Sequence, residues 1–410
     1  MNLFSLYIDP GTGSALFAIV IGIATTVYFL VRGLLLKIGI IFFRNKKLNQ
    51  SQYKYVIYAE DKRYWPFFES VLDEFEIRQK EVFYFTTSSD DPVFSSKYKY
   101  TKGKYIGSGN KAYAFLNFLS ADFLLTTTPQ IDVFHWKRSK NVKHYCHMVH
   151  GAGGPSLYRM FALDYFDSVL VANDNDVEEI RMIERIRNQK EKEIIITGNT
   201  FFDKYSEKLK ELPKEENHCF TVLVSPSWGH NALLSVYGEK LLDPLSESGF
   251  HIIIRPHPQS LIVEKPMLDK LFEKYRNNPN IEWDYNNENL HSLSRADIMF
   301  SDFSAIIYDY AFLFNKPVII NLQNFDLRRF DAYYLEKESY YFEFTRKIGI
   351  ELSGLNLSKL KESIINISHN IEMQNIREDI KKTMWRHQGE AAKRIADFMI
   401  QTVEKTNNIE

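Results

Sequence analysis

Residues 298–320 read IMFSDFSAIIYDYAFLFNKPVII. A short apolar run at 298–300 is followed by a helical pattern at 303–314 and by a second apolar run at 318–320. Strand, helix and strand in this order are typical of a βαβ unit, in which the two strands pair in parallel. This stretch therefore predicts a parallel α/β sheet.

Polar side chains follow the first strand of this unit, at the point where the helix begins. Ser301, Asp302 and Ser304 are expected there, with Asp309 deeper in the helix. Ligands bind at this edge of an open α/β sheet, and the free N–H groups of a helix start favour an anion. We predict a phosphate site at this helix start, with a plain helix cap at Ser301 or Asp302 as the alternative. Asp309 is interpreted either as a group that orients a basic partner across a cleft or as a solvated acid.

The same alternation of strands and helices extends over most of the chain. Before a charged connection at 209–217, strand patterns fall at 53–59, 81–85, 123–127, 142–149, 168–171 and 193–197, and helical patterns fall at 63–77, 110–119, 157–166 and 176–188. The alternation then starts again, with strands at 221–224, 250–254 and 281–283 and helices at 232–247, 265–276 and 288–293. Two such arrays predict two Rossmann-like domains that face a cleft. By fold analogy, this is the GT-B architecture. The predicted domains are an N-terminal acceptor domain over 51–210 and a C-terminal nucleotide-donor domain over 218–385, followed by a C-terminal helix over 386–410.

The N-terminal 50 residues have a different character. Residues 14–31 carry no charged side chain, and their length is close to the roughly 20 residues that cross a bilayer as a helix. A second apolar run covers 33–43, and the basic residues all lie on the carboxyl side of the uncharged segment 14–31, at Arg32, Lys37, Arg44, Lys46 and Lys47. The positive-inside rule then places the rest of the chain in the cytosol. We predict an N-terminal membrane helix and a location at the cytoplasmic face of the cell membrane, with a monotopic hairpin in one leaflet as the alternative.

Composition and missing motifs exclude several classes of protein. The formal net charge of −1 provides no broad basic field, so nucleic acid is not an expected partner. Cys146 and Cys219 form no CxxC pattern, and neither a metal site nor a cofactor is predicted. The sequence contains no GxxxxGK[ST], no GxGxxG after a strand and no GxSxG. This disfavours an ATPase, a nicotinamide enzyme and an α/β-hydrolase.

A histidine and a glycine end the predicted strand at 142–149. Gly151 lets the backbone approach a ligand closely and exposes N–H groups to it. His150 has an unperturbed pKa near physiological pH, so it could take a proton from an attacking hydroxyl. A turn histidine that is satisfied by the backbone is the alternative.

Two further polar clusters end strands of the second array. Ser225-Pro226-Ser227-Trp228 offers hydroxyls and an indole that stacks on a base or walls the cleft, although core packing is the commoner use of Trp. Arg255-Pro256-His257 offers a guanidinium fork suited to phosphate and a second donor from the imidazole. A surface ion pair and a turn histidine are the alternatives. Four polar clusters at strand ends predict one shared cleft.

These motifs carry a resemblance to a known family. HG at 150, SPSW at 225, RPHP at 255 and SDFSAIIYDY at 301 resemble the CDP-glycerol glycerophosphotransferases, the wall-teichoic-acid primases and polymerases and related capsule enzymes, over roughly residues 142–321. The resemblance implies a GT-B fold, membrane association and transfer of a polyol phosphate from a CDP donor. By motif position it implies that His150 is the base and that His257 acts on the donor phosphates. It also implies that Ser301, Asp302 and Ser304 form the phosphate-binding helix start.

The chain departs from this family at two points. Gly229 follows SPSW where the family usually has TPTWR, and the segment after Gly151 is rich in glycine. We expect a transferase that uses CDP-glycerol or a similar CDP-alcohol as its substrate, acts on a lipid-linked glycan, releases CMP and is compatible with a homo-oligomer. The alternatives are a GT-B glycosyltransferase or an enzyme like the UDP-sugar epimerases, and a non-catalytic membrane subunit that binds nucleotide or glycan.

Overall fold

A computed structural model describes residues 19–31, 52–211, 219–286, 288–323 and 325–407 of the chain. The chain divides into two units, Met1–Gln52 and Tyr53–Glu410. In the first unit, residues 19–31 form a helix with exposed side chains. None of the helices in the described ranges is both long and apolar enough to cross a bilayer. The rest of the predicted membrane segment, at 14–18 and 32–43, lies outside the described residues.

The second unit begins with a sheet of seven described strands, all parallel. They are β1 (Tyr53–Ala59), β2 (Val82–Thr86), β3 (Thr101–Tyr105), β4 (Ala121–Thr126), β5 (Val142–Met148), β6 (Ser168–Val171) and β7 (Glu193–Ile196). Their order is β3-β2-β1-β4-β5-β6-β7. The order reverses at β1, which is the point where doubly wound sheets open a crevice for ligands.

A second parallel sheet follows, with six described strands. They are β8 (Thr221–Val224), β9 (His251–Ile254), β10 (Ile281–Trp283), β11 (Ile298–Ser301), β12 (Val318–Ile320) and β13 (Gly349–Glu351). Their order is β10-β9-β8-β11-β12-β13, so this sheet reverses at β8. Met299 pairs with Val318 in parallel register. The predicted βαβ unit and the predicted pair of parallel α/β domains are therefore confirmed.

Helices cover both faces of each sheet, which explains why the central strands are mostly apolar and buried. Val56 and Tyr58 belong to the core on one face of the first sheet, and Tyr55 and Ile57 belong to the core on the other face. A parallel sheet needs this double cover because its crossover connections run over its faces. The helices are α1 (Trp65–Ile77), α2 (Asn110–Asn117), α3 (Asp174–Ile186), α4 (Thr200–Glu211), α5 (Leu233–Val236), α6 (Glu239–Ser246), α7 (Ser260–Val263), α8 (Lys265–Tyr275), α9 (Leu290–Arg295), α10 (Ile306–Phe314), α11 (Tyr340–Ile348), α12 (Leu360–Ser368), α13 (Ile371–Met384) and α14 (Ala391–Asn407).

The last helix returns to the first domain. Ile395 and Met399 of α14 are buried in the same core as Phe68 and Val71 of α1. Arg78, just after α1, also pairs with Asp397 at 2.6 Å. The chain therefore crosses between the domains more than once, and the helix predicted over 386–410 completes the first domain.

Two predicted helices differ from the structure. The segment predicted as a helix at 157–166 forms only a 3-10 turn at Pro155–Leu157 and then runs irregularly. Its backbone contacts the second domain instead, because Arg159 bridges Phe330 and the N–H of Met160 donates to the Arg329 carbonyl at 3.2 Å. The helix predicted at 232–247 is divided into α5 and α6 at Gly238, whose φ is +41°.

A buried ion triad joins the two domains. Arg187, which follows α3, pairs with Asp164 at 2.8 Å and with Asp331 of the second domain. Asp331 also accepts a hydrogen bond from the N–H of Phe161 at 3.0 Å. The three charged side chains are at most 9% exposed, so both buried carboxylates depend on the Arg187 guanidinium for charge compensation.

We expect Arg187→Met to lower the free energy of unfolding by about 3–5 kcal/mol, because it leaves two buried carboxylates without their cation. Urea denaturation followed by circular dichroism measures the change. Arg185→Met, two residues away at an exposed position, is the matched control and is expected to change stability by less than about 0.5 kcal/mol. Equal stability of the two variants would contradict the role of the triad.

Candidate active site

A cleft opens where the carboxyl edges of the two sheets come together. A cavity of about 460 Å³ lies in it, which is within the usual range for small-molecule sites. The first domain contributes the turn after β5, and the second contributes the loop after β8 and the residues around the start of α10. The lining residues are Gly151, Gly153, Gly154, Leu157, Tyr158, Arg159, Ser227, Trp228, Gly229, His230, Asn231, Phe303, Ala305, Phe325, Asp326, Phe330 and Tyr341.

Two predicted donor ligands shape the loop after β8. The buried Asp302 carboxylate accepts hydrogen bonds from the N–H groups of Ser227 and Leu233, both at 2.8 Å. The Ser301 hydroxyl donates to the carbonyl of the buried Ser225 at 2.7 Å. Burial raises the pKa of Asp302 to about 6. The Ser301 hydroxyl and the Asp302 carboxylate are therefore bonded to backbone groups of the protein itself. Through these bonds they position the loop that carries Ser227 and Trp228.

Arg255 is also engaged within its own domain. Its guanidinium pairs with Asp284 and donates to the carbonyl of Asn286 at 2.7 Å. The residue is only 8% exposed. Arg255 therefore braces the ends of β9 and β10, and its assignment as a phosphate ligand stays a prediction.

Ser304 occupies the position that the sequence predicted, just before α10. Its neighbours Phe303 and Ala305 both line the cavity, so the N-terminus of the helix is directed at the cleft. The Ser304 side chain is half-buried, and within the described ranges its hydroxyl makes no hydrogen bond. The helix start thus offers the Ser304 hydroxyl and the positive end of the helix dipole to an anion.

His257 and Trp228 lie together at the mouth of the cleft. Their ring centroids are 6.4 Å apart, and the indole is 42% exposed, which excludes core packing for Trp228. Burial, and then the positive charge of Arg63, lower the pKa of His257. Because Arg63 belongs to the first domain, His257 faces across the cleft.

His150 is enclosed by aromatic rings. Its imidazole stacks on Tyr158 with centroids 5.6 Å apart and meets the rings of Tyr64 and Phe67 edge-on at 5.2 and 5.5 Å. Nδ1 lies 3.0 Å from the Tyr158 hydroxyl. Burial lowers the pKa of His150 to about 4, so the ring is neutral at physiological pH.

The glycines after His150 bring the backbone close to the second domain. Gly154 has a φ of +75°, and a Cβ there would lie 2.5 Å from the Tyr340 hydroxyl. Gly151 and Gly153 line the cavity, and a Cβ on Gly151 would meet only a backbone nitrogen at 3.9 Å. Gly154 is therefore required by the turn, whereas Gly151 leaves room for a ligand.

Several residues at the cleft were not predicted from the sequence. Arg63 and Tyr64 follow β1, and the rule that selects polar residues at strand ends would have found them. Arg159 lines the cavity with an exposed side chain that makes no ion pair within the part of the chain the structure describes. No local sequence pattern identifies Tyr158 as a site residue, because its contact with His150 depends on the irregular path of the segment after Gly154.

Asp309 differs from both interpretations of its sequence context. It is half-buried in α10, and among the described residues its carboxyl has no hydrogen-bond or ion-pair partner. Burial raises the pKa of Asp309 to about 7. The nearby Tyr205 of α4 belongs to the first domain, and after burial the charges of Glu288 and Asp309 raise its pKa further.

The fold and this site define a class of protein. Two Rossmann-like domains whose strand ends face one cleft are the GT-B arrangement, in which the ligand site lies between the domains. The model of one protein family, CDP-Glycerol:Poly(glycerophosphate) glycerophosphotransferase, matches residues 157–401, which is more than half of the chain. The chain belongs to this family and is a glycerophosphotransferase-type enzyme.

Solved structures show the same fold. The wall teichoic acid polymerase TagF, soaked with CDPG, superposes with a TM-score of 0.56 at 14% identity over 89% of this chain and 92% of that chain. The UDP-GlcNAc 2-epimerase from Neisseria meningitidis, bound to UDP-GlcNAc, has a TM-score of 0.54 at 14% identity over 86% of this chain and 100% of that chain. The S. aureus protein MnaA, in complex with UDP, has a TM-score of 0.57 at 12% identity over 86% and 97%. A search of curated proteins finds no match to this chain.

The Asp309 carboxyl makes stability depend on pH. Its folded pKa of about 7 lies above the unfolded value of about 3.9, so the folded state holds a proton that the unfolded state loses as the pH rises. The stabilisation of the folded state by the protonated Asp309 carboxyl is fully present below about pH 4 and is lost as the pH rises through about 7. We expect Asp309→Asn to match the wild type at pH 4 and to be more stable at pH 8, by at most about 4 kcal/mol.

Urea denaturation at both pH values measures the difference in free energy of unfolding between the variant and the wild type. The other titrating groups are common to both proteins, so their effects cancel in this difference. Asp379→Asn, at an exposed position of α13, is the control. An Asp309→Asn effect of equal size at pH 4 and pH 8 would contradict the protonated state of Asp309.

Proposed function

We propose that this protein transfers glycerol phosphate, or another polyol phosphate, from a CDP-linked donor to a hydroxyl of a membrane-linked, teichoic-acid-like glycan and releases CMP. Family membership supports transfer of glycerophosphate. The observation that carries the finer proposal is the cavity of about 460 Å³ that lies between an exposed tryptophan and the glycine-rich turn after His150. Its size and its flat aromatic wall suit a nucleotide.

The donor is held from both domains. Trp228 provides an exposed face on which a pyrimidine stacks, and base-aromatic stacking typically contributes about 1–3 kcal/mol. Arg159 reaches the cavity with a guanidinium that pairs with phosphate oxygens. Ser304, the start of α10 and His257 supply further donors to the diphosphate. Arg159 is thus the proposed guanidinium ligand of the phosphates, a role that the sequence predicted for Arg255. Arg255 supports the adjacent strands instead.

The reaction needs one proton acceptor and a set of donors for the leaving group. The acceptor hydroxyl attacks the β-phosphorus, a new P–O bond forms, and the bond from that phosphorus to the bridging oxygen breaks so that CMP leaves. His150 takes the hydroxyl proton at Nε2 while Nδ1–H donates to the oxygen of Tyr158. His257 and the helix start stabilise the negative charge that develops on the CMP oxygen.

The N-terminal segment supplies the link to the membrane. Residues 14–31 are uncharged and precede a group of basic residues, which supports an anchor with the catalytic unit at the cytoplasmic face. An acceptor that is itself lipid-linked would then share the membrane surface with the enzyme. Confinement of both partners to one surface raises the effective concentration of the acceptor.

Turnover of defined donors tests this function. The purified protein is incubated with CDP-glycerol, CDP-ribitol and UDP-GlcNAc, together with a glycerol phosphate oligomer as acceptor, and the released nucleotides are measured. We expect CMP from a CDP-alcohol and no UDP from UDP-GlcNAc. UDP release or epimerisation without CMP would favour the glycosyltransferase or epimerase alternative, and donor binding without turnover would favour a non-catalytic subunit.

In the same assay we expect His150→Asn to lower kcat by about 10²–10⁴ while the Kd for CDP-glycerol stays unchanged, because a general base contributes this much to the rate. Isothermal titration with the donor measures the Kd. His291→Asn, at an exposed position of α9, is the matched control. Full transfer by a folded His150→Asn protein would exclude His150 as the base.

Removal of the Arg159 guanidinium is expected to act on donor affinity. We expect Arg159→Met to raise the Kd for CDP-glycerol about ten- to hundredfold, since a charged hydrogen bond is worth about 1.5–3 kcal/mol. The exposed position should leave the free energy of unfolding nearly unchanged, and Arg185→Met is again the control. An unchanged Kd in Arg159→Met would leave Arg255 as the candidate guanidinium.

A further inference from the structure

A second cavity lies in the first domain, at the carboxyl ends of β1 and β2. Its volume is about 280 Å³, and the main cavity shares none of its lining residues. The side chains that determine its chemistry are Glu60, Asp61, Arg63, Tyr64 and Tyr113. No motif of the donor site accounts for this combination of carboxylates and aromatic rings.

The second cavity adjoins the reaction centre through two of its own residues. Tyr64 lines it, and the same ring meets His150 edge-on at 5.2 Å. Arg63 also lines it, and after burial the charge of Arg63 lowers the pKa of His257. The cavity is therefore one aromatic ring away from the imidazole that we propose as the base.

The chemistry of the cavity suits hydroxyl groups. Glu60 lies among phenols, since Tyr58, Tyr64 and Tyr113 line the same cavity. After burial, the negative charge of Glu60 raises the pKa of all three tyrosines. A carboxylate accepts hydrogen bonds from two adjacent hydroxyls at once, and aromatic faces pack against the C–H groups between them. Tyr113 is braced for this role, since its ring stacks on His135 at 5.9 Å.

The charges of the cavity disfavour an anion. Two carboxylates, Glu60 and Asp61, face one guanidinium, so the lining carries a formal charge of −1. The guanidinium is already engaged, because Nε of Arg63 donates to Asp61 at 2.8 Å. A neutral polyhydroxy group fits this balance better than a phosphate does.

The wall of the cavity is held in place before any ligand arrives. The Asp61 carboxylate accepts from the N–H of Arg63 at 2.9 Å and caps the 3-10 turn at Lys62–Tyr64. The N–H of Lys62 donates to the Ser88 hydroxyl at 3.0 Å, which ties this turn to the end of β2. A preorganised wall reduces the entropy that binding must overcome.

We propose that this cavity is the acceptor subsite, which binds the terminal polyol or sugar unit of the acceptor through Glu60 and the tyrosine rings, with the ring of Tyr64 between the bound unit and His150. This inference rests on the proposed transferase function. It specifies the acceptor end as a neutral group with adjacent hydroxyls. The donor occupies the main cavity, which shares no lining residue with the acceptor subsite.

Glu60→Gln tests the assignment, because it keeps the size of the side chain and removes its charge. We expect the KM for the glycerol phosphate oligomer to rise at least tenfold, with kcat within threefold and the Kd for CDP-glycerol unchanged. Glu81→Gln, an exposed acid just before β2 at the opposite edge of the sheet, is the matched control. An unchanged acceptor KM, or an equal rise in the donor Kd, would overturn the acceptor subsite.

A second measurement does not depend on turnover. Glycerol and methyl β-D-glucopyranoside are titrated into the full-length protein and followed by saturation-transfer NMR, with inorganic phosphate as the anionic probe. We expect the neutral probes to bind the wild type and to lose at least tenfold in affinity in Glu60→Gln and in Tyr113→Ala. Binding of phosphate alone, or neutral binding that both variants retain, would overturn the inference.

The two readouts separate this inference from the proposed function. If CDP-alcohols are turned over while the neutral probes ignore Glu60, the acceptor subsite is wrong and the transferase function stands. If the neutral probes respond to Glu60 and no CDP-alcohol is bound or turned over, the donor assignment is wrong and the polyol site stands.

Discussion

The contact between the two domains is the constraint from which the cleft follows. Each sheet alone would present a row of polar loops to solvent. Arg187 lies between a carboxylate of its own domain and Asp331 of the other, and Tyr340 donates from the second domain to the buried Asp176. Buried charges of this kind tolerate few arrangements, because a missing partner costs several kcal/mol. The interface therefore holds the carboxyl edges of the two sheets toward each other.

Polar groups at these edges fall into two sets with different tasks. One set supports the loops that follow β8, β9 and β11. In this set Asp302 and Ser301 form hydrogen bonds with backbone groups, and Arg255 pairs with Asp284. Trp228 lies on the fixed loop after β8, Arg159 lies on the segment after Gly154 in the first domain, and both side chains line the cavity. Rigid support beneath exposed ligands is what a site needs to bind a charged substrate without reorganisation.

Burial adjusts the ionisable groups of the cleft in a consistent direction. His150 is kept neutral by its aromatic surroundings, while Asp302 and Asp309 are shifted toward their protonated forms. All three shifts follow from the cost of placing a charge in a poorly solvated region. Burial thus favours the neutral form of all three groups.

The sequence by itself determined the architecture and the position of the cleft. Apolar strands alternating with helical patterns indicate parallel sheets, and polar residues at 150, 225–228, 255–257 and 301–304 mark the strand ends, because both signals are local. Only the tertiary structure decided which polar groups face a ligand. Arg255 pairs with Asp284, and Asp302 accepts a hydrogen bond from the loop after β8. The segment after Gly154 forms a backbone hydrogen bond to Arg329 instead of the helix that its sequence pattern predicts. Each of these outcomes depends on a partner distant in the sequence, and such partners are set by the packing of whole domains.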